Sequence, residues 1–220
     1  HTSVRGNSGG IPLLDEDVTV AEVLQQAGYV TGAFGKWGIG EALTKGAATR
    51  QGFDEFFGYY DQVHAHSYYP PYLWWNDEKY FLPGNDGRES DGLTGEKRGQ
   101  YAADEIHTKA LAFIQKHRQR PFFCYLPYTI PHTELLVPED SLKEYAGKFP
   151  EPNPYQTETE HYRNQLQPRA AFAAMVTRLD RQVGEVLELL KRLDLEKNTI
   201  VFFTADNGAQ NGGGADLEFF

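Results

Sequence analysis

A single cysteine in 220 residues, Cys124, leaves this chain unable to close an internal disulfide or to gather the thiolates of a structural zinc site. No stretch approaches the roughly 20 consecutive apolar residues that cross a bilayer. Residues 1–10 have neither the basic start nor the apolar centre of a secretory leader. Positive charge is scarce: 21 Lys and Arg stand against 31 Asp and Glu, a net charge of −10. Without a local basic patch, that balance repels a phosphate backbone or an anionic membrane surface, so nucleic acid is excluded as a partner class. Low-complexity tracts and interdomain linkers are also missing, and 1–220 reads as one domain. The start at His1 without Met, and the end on Leu217-Glu218-Phe219-Phe220 just after Gly212-Gly213-Gly214, predict a piece of a longer protein.

What is present is the composition of a folded protein, with 40% hydrophobic, 14% aromatic and 24% charged residues. A helix is predicted over 18–28, where Thr19 and Glu22 form a capping box, Val18 and Val23 occupy staple positions and Gly28 closes the end. Its expected buried stripe is Val20, Val23, Leu24 and Ala27. The β-branched and aromatic run Tyr29–Phe34 follows as a buried strand and leads into Gly35-Lys36-Trp37-Gly38. The same step recurs twice. A helix over 101–117, with Ile106, Ala110, Phe113 and Ile114 on one face, precedes the strand Phe122–Leu126. A helix over 169–193, with Val176, Leu179, Val183, Val186, Leu190 and Leu193 at alternating steps of three and four, precedes the strand Thr199–Phe203. Alternating helices and apolar strands predict an α/β fold, a mostly parallel sheet flanked by helices. Residues 38–100 and 130–168 read as long irregular loops of the kind that form functional lids.

Open parallel sheets bind ligands beyond the carboxyl ends of their strands. That rule selects Lys36 after the first strand, His132 after the second and Asp206-Asn207 after the third. Lys36 fits either a desolvated point charge for an anionic oxygen or a solvated surface lysine. His132, between Pro131 and Thr133, fits a general acid or anion contact as well as a turn histidine. Asp206-Asn207-Gly208 offers a carboxylate and an amide carbonyl to a hard cation, or is simply a turn; Ca²⁺ takes about 6–8 oxygens, so further ligands are required. His64 and His66, followed by the aromatic run Tyr68–Trp75, fit a wall that stacks on sugar or aryl rings, or a loop pinned by its own side chains. Cys124, mid-strand among aromatics, reads as an inert buried thiol.

Taken in order, these segments resemble the type I sulfatases, the arylsulfatase-like branch of the alkaline phosphatase superfamily. Gly35-Lys36-Trp37-Gly38-Ile39-Gly40, preceded by Thr19–Leu24 and Ala27-Gly28-Tyr29, looks like the family's second signature. Gln51-Gly52-Phe53-Asp54, Pro121-Phe122-Phe123 leading to Pro131-His132, and Asn198–Gly208 match in sequence after it. The resemblance implies Asp206 and Asn207 as ligands of one Ca²⁺ ion, Lys36 as a contact to sulfate and nucleophile, and His132 as a sulfate contact or proton donor to the leaving oxygen. It also implies a sulfated small molecule or glycan as substrate and a periplasmic or extracellular location.

Two departures stand out. The family's lysine signature often carries a histidine two residues after the lysine, where this chain has Gly38. His66, or failing that His64, is the expected replacement from the aromatic loop. The family's nucleophile is a formylglycine made in a C/S-x-P-x-R motif, and no such motif occurs here. His1–Asn7 resembles the segment that follows the nucleophile helix, which puts the formylglycine upstream of His1. The implied reaction of the complete protein is hydrolysis of a sulfate ester: attack at sulfur by the formylglycine hydrate, charge stabilised by Ca²⁺ and lysine, and protonation of the leaving alcohol. The isolated chain, without nucleophile or full metal shell, is expected to be inactive. The alternatives are a phosphate or phosphonate ester hydrolase of the same superfamily, and a noncatalytic carbohydrate-binding protein.

Overall fold

A capping box starts the first helix, α1 (Val20–Gln26). Glu22 N–H donates to Thr19 Oγ1 (3.1 Å) and Thr19 N–H to Glu22 Oε2 (2.7 Å), so two donors at the helix start are satisfied at once. The helix ends on Gly28 at φ +88°, with Gly28 N–H donating to Gln25 O and Tyr29 N–H to Leu24 O, which turns the chain into β1 (Val30–Lys36). The expected stripe is rotated. Ala21 is the buried residue of α1, whereas Val20 and Val23 are 60% and 53% exposed, because this short helix meets the sheet through its smallest side chain.

The computed structural model describes residues 12–87, 94–157, 162–208 and 212–219; His1–Asn7 lies outside them. Two units are present, His1–Thr129 and Ile130–Phe220. The first is a five-stranded sheet in the order β4-β3-β2-β1-β5, with β2 at Glu55–Tyr59, β3 at Tyr72–Trp75, β4 at Glu78–Phe81 and β5 at Phe122–Tyr125. β1 is parallel to both β2 and β5, while β3 and β4 extend the sheet antiparallel. The sheet is thus mixed, and its parallel half carries Lys36. Alternation along β1 divides the core into two layers. Phe34 faces α2 (Ala102–His117) and meets Phe113 at 5.3 Å between ring centroids. Ala33 faces the other way, with Ala21, Phe53 and Phe56. The four residues expected on the inner face of α2, Ile106, Ala110, Phe113 and Ile114, are all buried.

The crossover from β1 to β2 is locked by polar contacts in the strand. Buried Thr31 donates from Oγ1 to Gly52 O (2.6 Å) and from its N–H to Asp54 Oδ2 (2.9 Å), while Asp54 N–H returns a bond to Thr31 Oγ1 (3.0 Å). The Gln51–Asp54 segment is therefore held by its own backbone and side-chain groups against the start of β1.

In the second unit, α3 (Glu139–Lys143) packs on α4 (Pro168–Arg192). The buried face of α4 is Ala170, Ala171, Ala174, Met175, Gln182, Val186, Leu189 and Leu190, and Val176 is 41% exposed, so the stripe lies partly off the expected one. Thr199–Phe203 is not a strand. Ile200, Val201, Phe202 and Phe203 are 82%, 51%, 89% and 74% exposed and, among the described residues, no strand pairs with them. β-propensity is a preference for a half-buried pleated surface, and without a neighbouring strand it makes no ladder. Among the described residues no helix is long and apolar enough to cross a membrane.

Candidate active site

Lys36 is the last residue of β1, paired in parallel register with Tyr59 at the end of β2. Three backbone bonds fix the exit of the strand: Lys36 N–H to Pro127 O (2.9 Å), Trp37 N–H to Tyr59 O (2.8 Å) and Gly38 N–H to Tyr60 O (3.1 Å). Trp37 is anchored further by Nε1–H to Gly46 O (2.7 Å). The backbone under Lys36 is therefore held from both neighbouring strands. The side chain is half-buried and makes no ion pair among the described residues, unlike Lys45 or Lys116, which face Asp15 and Glu55. An ammonium held in place without a carboxylate partner is available to an anion.

The chain beyond β2 carries both loop histidines in the short turn His64–His66. His64 is 2% exposed, set between the rings of Tyr59 (5.2 Å) and Tyr72 (4.9 Å), and His64 N–H donates to Asp61 Oδ1 (2.8 Å). Its Nε2 is buried without a hydrogen-bond partner. Burial pushes the imidazole down to about 4, against the pull of Asp61 and with a small push from Lys79. His66 is the less enclosed of the two.

The neutral His64 makes the fold acid-sensitive. Its folded value lies below the unfolded value of about 6.5, so the unfolded chain binds more protons between these limits and stability falls as pH drops from about 6.5 to about 4. The expected contribution to that loss between pH 7 and pH 5 is about 2 kcal/mol. Urea midpoints of the full-length protein at the two pH values measure it. In His64→Phe the difference between them should shrink by about that amount; an undiminished difference would assign the acid sensitivity elsewhere.

In the second unit His132 is exposed, directly after the cis Ile130–Pro131 bond. Its Nδ1–H donates to Thr133 O, which leaves the ring's acceptor lone pair on Nε2 in the neutral form. Thr133 Oγ1 donates to Gly212 O (3.2 Å), so the segment that follows Asp206-Asn207 returns to the residue beside His132. Asp206 and Asn207 are exposed. Asn207 Nδ2–H is spent on Gly208 O (2.8 Å), leaving Oδ1 as its acceptor. A carboxylate and an amide oxygen on adjacent exposed residues suit a hard cation as part of its shell. Among the described residues no group of three or more His, Cys, Asp or Glu surrounds them. Lys36, His64 and His66 thus belong to the first unit, and His132, Asp206 and Asn207 to the second.

Sequence reasoning passed over Gln62, which lies against Gly38. A Cβ built on Gly38 would stand 3.0 Å from Gln62 Nε2 and 3.2 Å from its Cδ. The three atoms nearest that Cβ are all from Gln62 and none from His64 or His66. The available signal was Gly38 itself, since a glycine in a site loop leaves room for a neighbour.

The first unit is an α/β sheet with the candidate residue Lys36 at the carboxyl end of a parallel strand, where open sheets bind ligands. The family model "Sulfatase" matches residues 1–218, and the chain belongs to the sulfatase family. It is similar to N-acetylgalactosamine-6-sulfatase of Mus musculus, 30% identical over 96% of this chain and 37% of that one. It is also similar to arylsulfatase J of Mus musculus, 27% identical over 97% and 32%. Among solved structures, Ps i-CgsB in complex with k-i-k-neocarrahexaose superposes with a TM-score of 0.63 at 22% identity, over 88% of this chain and 40% of that one. BT4656 in complex with its substrate D-glucosamine-2-N,6-O-disulfate gives 0.59 at 18% identity, over 89% and 52%. The likeness to these structures is one of fold. The chain spans between 32% and 37% of the two curated relatives named.

Proposed function

We propose that the full-length protein hydrolyses a sulfate ester and that this chain supplies its sulfate-binding cation and its proton donor. The observation that carries the reading is Lys36: a half-buried ammonium with no carboxylate partner among the described residues, fixed at a parallel strand end within a chain matched over 1–218 by the sulfatase family. In this role Lys36 takes the developing charge on a nonbridging sulfate oxygen. His132 passes a proton to the departing ester oxygen. Asp206 and Asn207 donate two oxygens to Ca²⁺, which when bound neutralises charge on the sulfate group. His66 contacts the rest of the substrate from the aromatic loop.

The formylglycine of the family has no seat in this chain. No Cys or Ser stands in C/S-x-P-x-R, and Cys124, followed by Tyr125-Leu126-Pro127, is a half-buried strand residue whose thiol is pushed up by burial. No step of the reaction is assigned to a residue in its place, and the 220 residues alone are inactive in this reading. The substrate class is a sulfated sugar or aryl ester. Two related proteins bear on it by name, an N-acetylgalactosamine-6-sulfatase and a protein bound to a disulfated glucosamine. A periplasmic or extracellular location accompanies such substrates.

Release of inorganic sulfate from 4-methylumbelliferyl sulfate and from a sulfated N-acetylhexosamine tests the proposal. The full-length protein should release sulfate, lose activity in EDTA and regain it with Ca²⁺, and the isolated 220 residues should release none. Asp206→Ala should raise the Ca²⁺ needed for half activity by about tenfold or more. Release by the isolated chain, or EDTA-insensitive turnover, would refute it.

A further inference from the structure

The carboxamide of Gln62 occupies the space above Gly38. Gly38 sits two residues beyond Lys36 at φ +68°, and a Cβ there would stand in tight contact with Gln62 Nε2, at 3.0 Å. Gln62 comes off the same edge of the sheet: Tyr59, three residues before it, is the register partner of Lys36. The loop between them is fixed by Gly38 N–H on Tyr60 O and by the turn that Asp61 caps through His64 N–H. Gln62 is half-buried, and its carboxamide takes no hydrogen bond among the described residues, while the Asp61 carboxylate that precedes it caps the turn through His64 N–H. A half-buried polar group left with unspent donors, over a glycine two residues beyond the unpaired Lys36, can still take a ligand.

We propose that Gln62 is a further anion contact of the site: its Nε2–H donates to an oxygen of the bound sulfate group that Lys36 holds as a point charge. The inference rests on the sulfate-ester reading above. Gln62 takes up the space that Gly38 vacates and supplies an N–H donor in place of a ring at position 38. The exchange has a chemical consequence. An imidazole loses its charge near neutral pH, whereas a carboxamide donates the same N–H at every pH from acid to alkaline. The part of sulfate affinity contributed here is therefore independent of pH. A side chain at position 38 would press on this donor, and the backbone there, at φ +68°, itself favours glycine.

Binding of inorganic sulfate to the full-length protein, measured by titration calorimetry, tests this in four proteins. The unmodified protein binds sulfate and Lys36→Ala loses it. Gln62→Ala should bind about tenfold more weakly, the size of one hydrogen bond to a charged group. Gln62→Glu, which keeps the volume and so the packing, should bind more weakly still, because it sets a carboxylate against the anion. The Gln62→Glu measurement stands even if the alanine variant folds poorly. If both Gln62 variants bind sulfate within twofold of the unmodified protein while Lys36→Ala does not, Gln62 is no contact and the sulfate site survives without it. If Lys36→Ala binds as well as the unmodified protein, the sulfate-ester reading falls and this inference with it.

Discussion

Lys36→Ala in the full-length protein should lower kcat/KM for a sulfate ester by about 10²–10³-fold, the usual cost of removing one fixed group from the stabilisation of transition-state charge. The loss should fall mainly on kcat, because charge on the nonbridging oxygens grows as the ester bond breaks. Stability should not follow activity. The Lys36 side chain pairs with no carboxylate among the described residues, so its removal leaves no buried partner unsatisfied, and the backbone bonds to Pro127 and Tyr59 persist in alanine. An unchanged urea midpoint beside the kinetic loss separates a functional lysine from a structural one. Lys36→Arg should recover part of the rate, since it restores charge but replaces a compact ammonium by a planar fork. A Lys36→Ala protein within threefold of the original kcat/KM would remove Lys36 from the site.

The largest effect on folding is expected at Gly58. Gly58 and Gly35 are register partners on β2 and β1. A Cβ on Gly58 would lie 1.8 Å from Gly35 O, and a Cβ on Gly35 would lie 2.1 Å from Pro127 O. Both obstacles are backbone carbonyl oxygens near the carboxyl ends of the parallel strands, so no rotamer change relieves them. The backbone at Gly58, φ +153°, adds strain for any L side chain. Overpacking alone costs about 1–3 kcal/mol and an unsuitable backbone conformation about 1–3 more. Gly58→Ala should therefore lose about 4 kcal/mol, enough to leave a marginal domain largely insoluble. Soluble yield and the urea midpoint of the full-length variant measure this; a midpoint matching that of the unmodified protein would mean the two strands can part without cost.

Those two glycines were visible in the sequence, but the reason for them was not. Local patterns carried the reading where an element is held by its own residues. The Thr19–Glu22 box, the Gly28 stop and the apolar face of α2 are properties of short segments, and they stand in the structure as the sequence predicts. What depends on distant partners was harder to read. The aromatic run from Glu55 to Tyr59 and the hairpin Tyr72–Phe81, turned at Asn76 with φ +53°, passed for irregular loop because their alternation is masked by aromatics on both faces. Burial of α1 and α4 was misjudged for a related reason: periodicity finds a stripe, but the partner decides which residues of it are covered. At the site, position along the chain located Lys36 at a strand end, since that follows from the order of elements. Gly38 signals room for a neighbour, but that the neighbour is Gln62 is not legible in the order of elements, because their relation exists only across the parallel pair.

Among the described residues, two β-prone strips differ in what protects them. β4, at one margin of the sheet, sets Glu78 and Lys79 ahead of Tyr80 and Phe81, and charges of both signs on a margin discourage a second molecule from adding a strand there. Ile200-Val201-Phe202-Phe203 has four β-forming side chains in a row and neither a charge nor a proline among them. Protection of this segment therefore rests on the collective charge of the chain, −10 over these 220 residues near neutrality. That protection is collective and conditional. It weakens as salt shortens the reach of the repulsion, and it disappears near the isoelectric pH of about 5.2, where this ribbon becomes the natural seed for clumping.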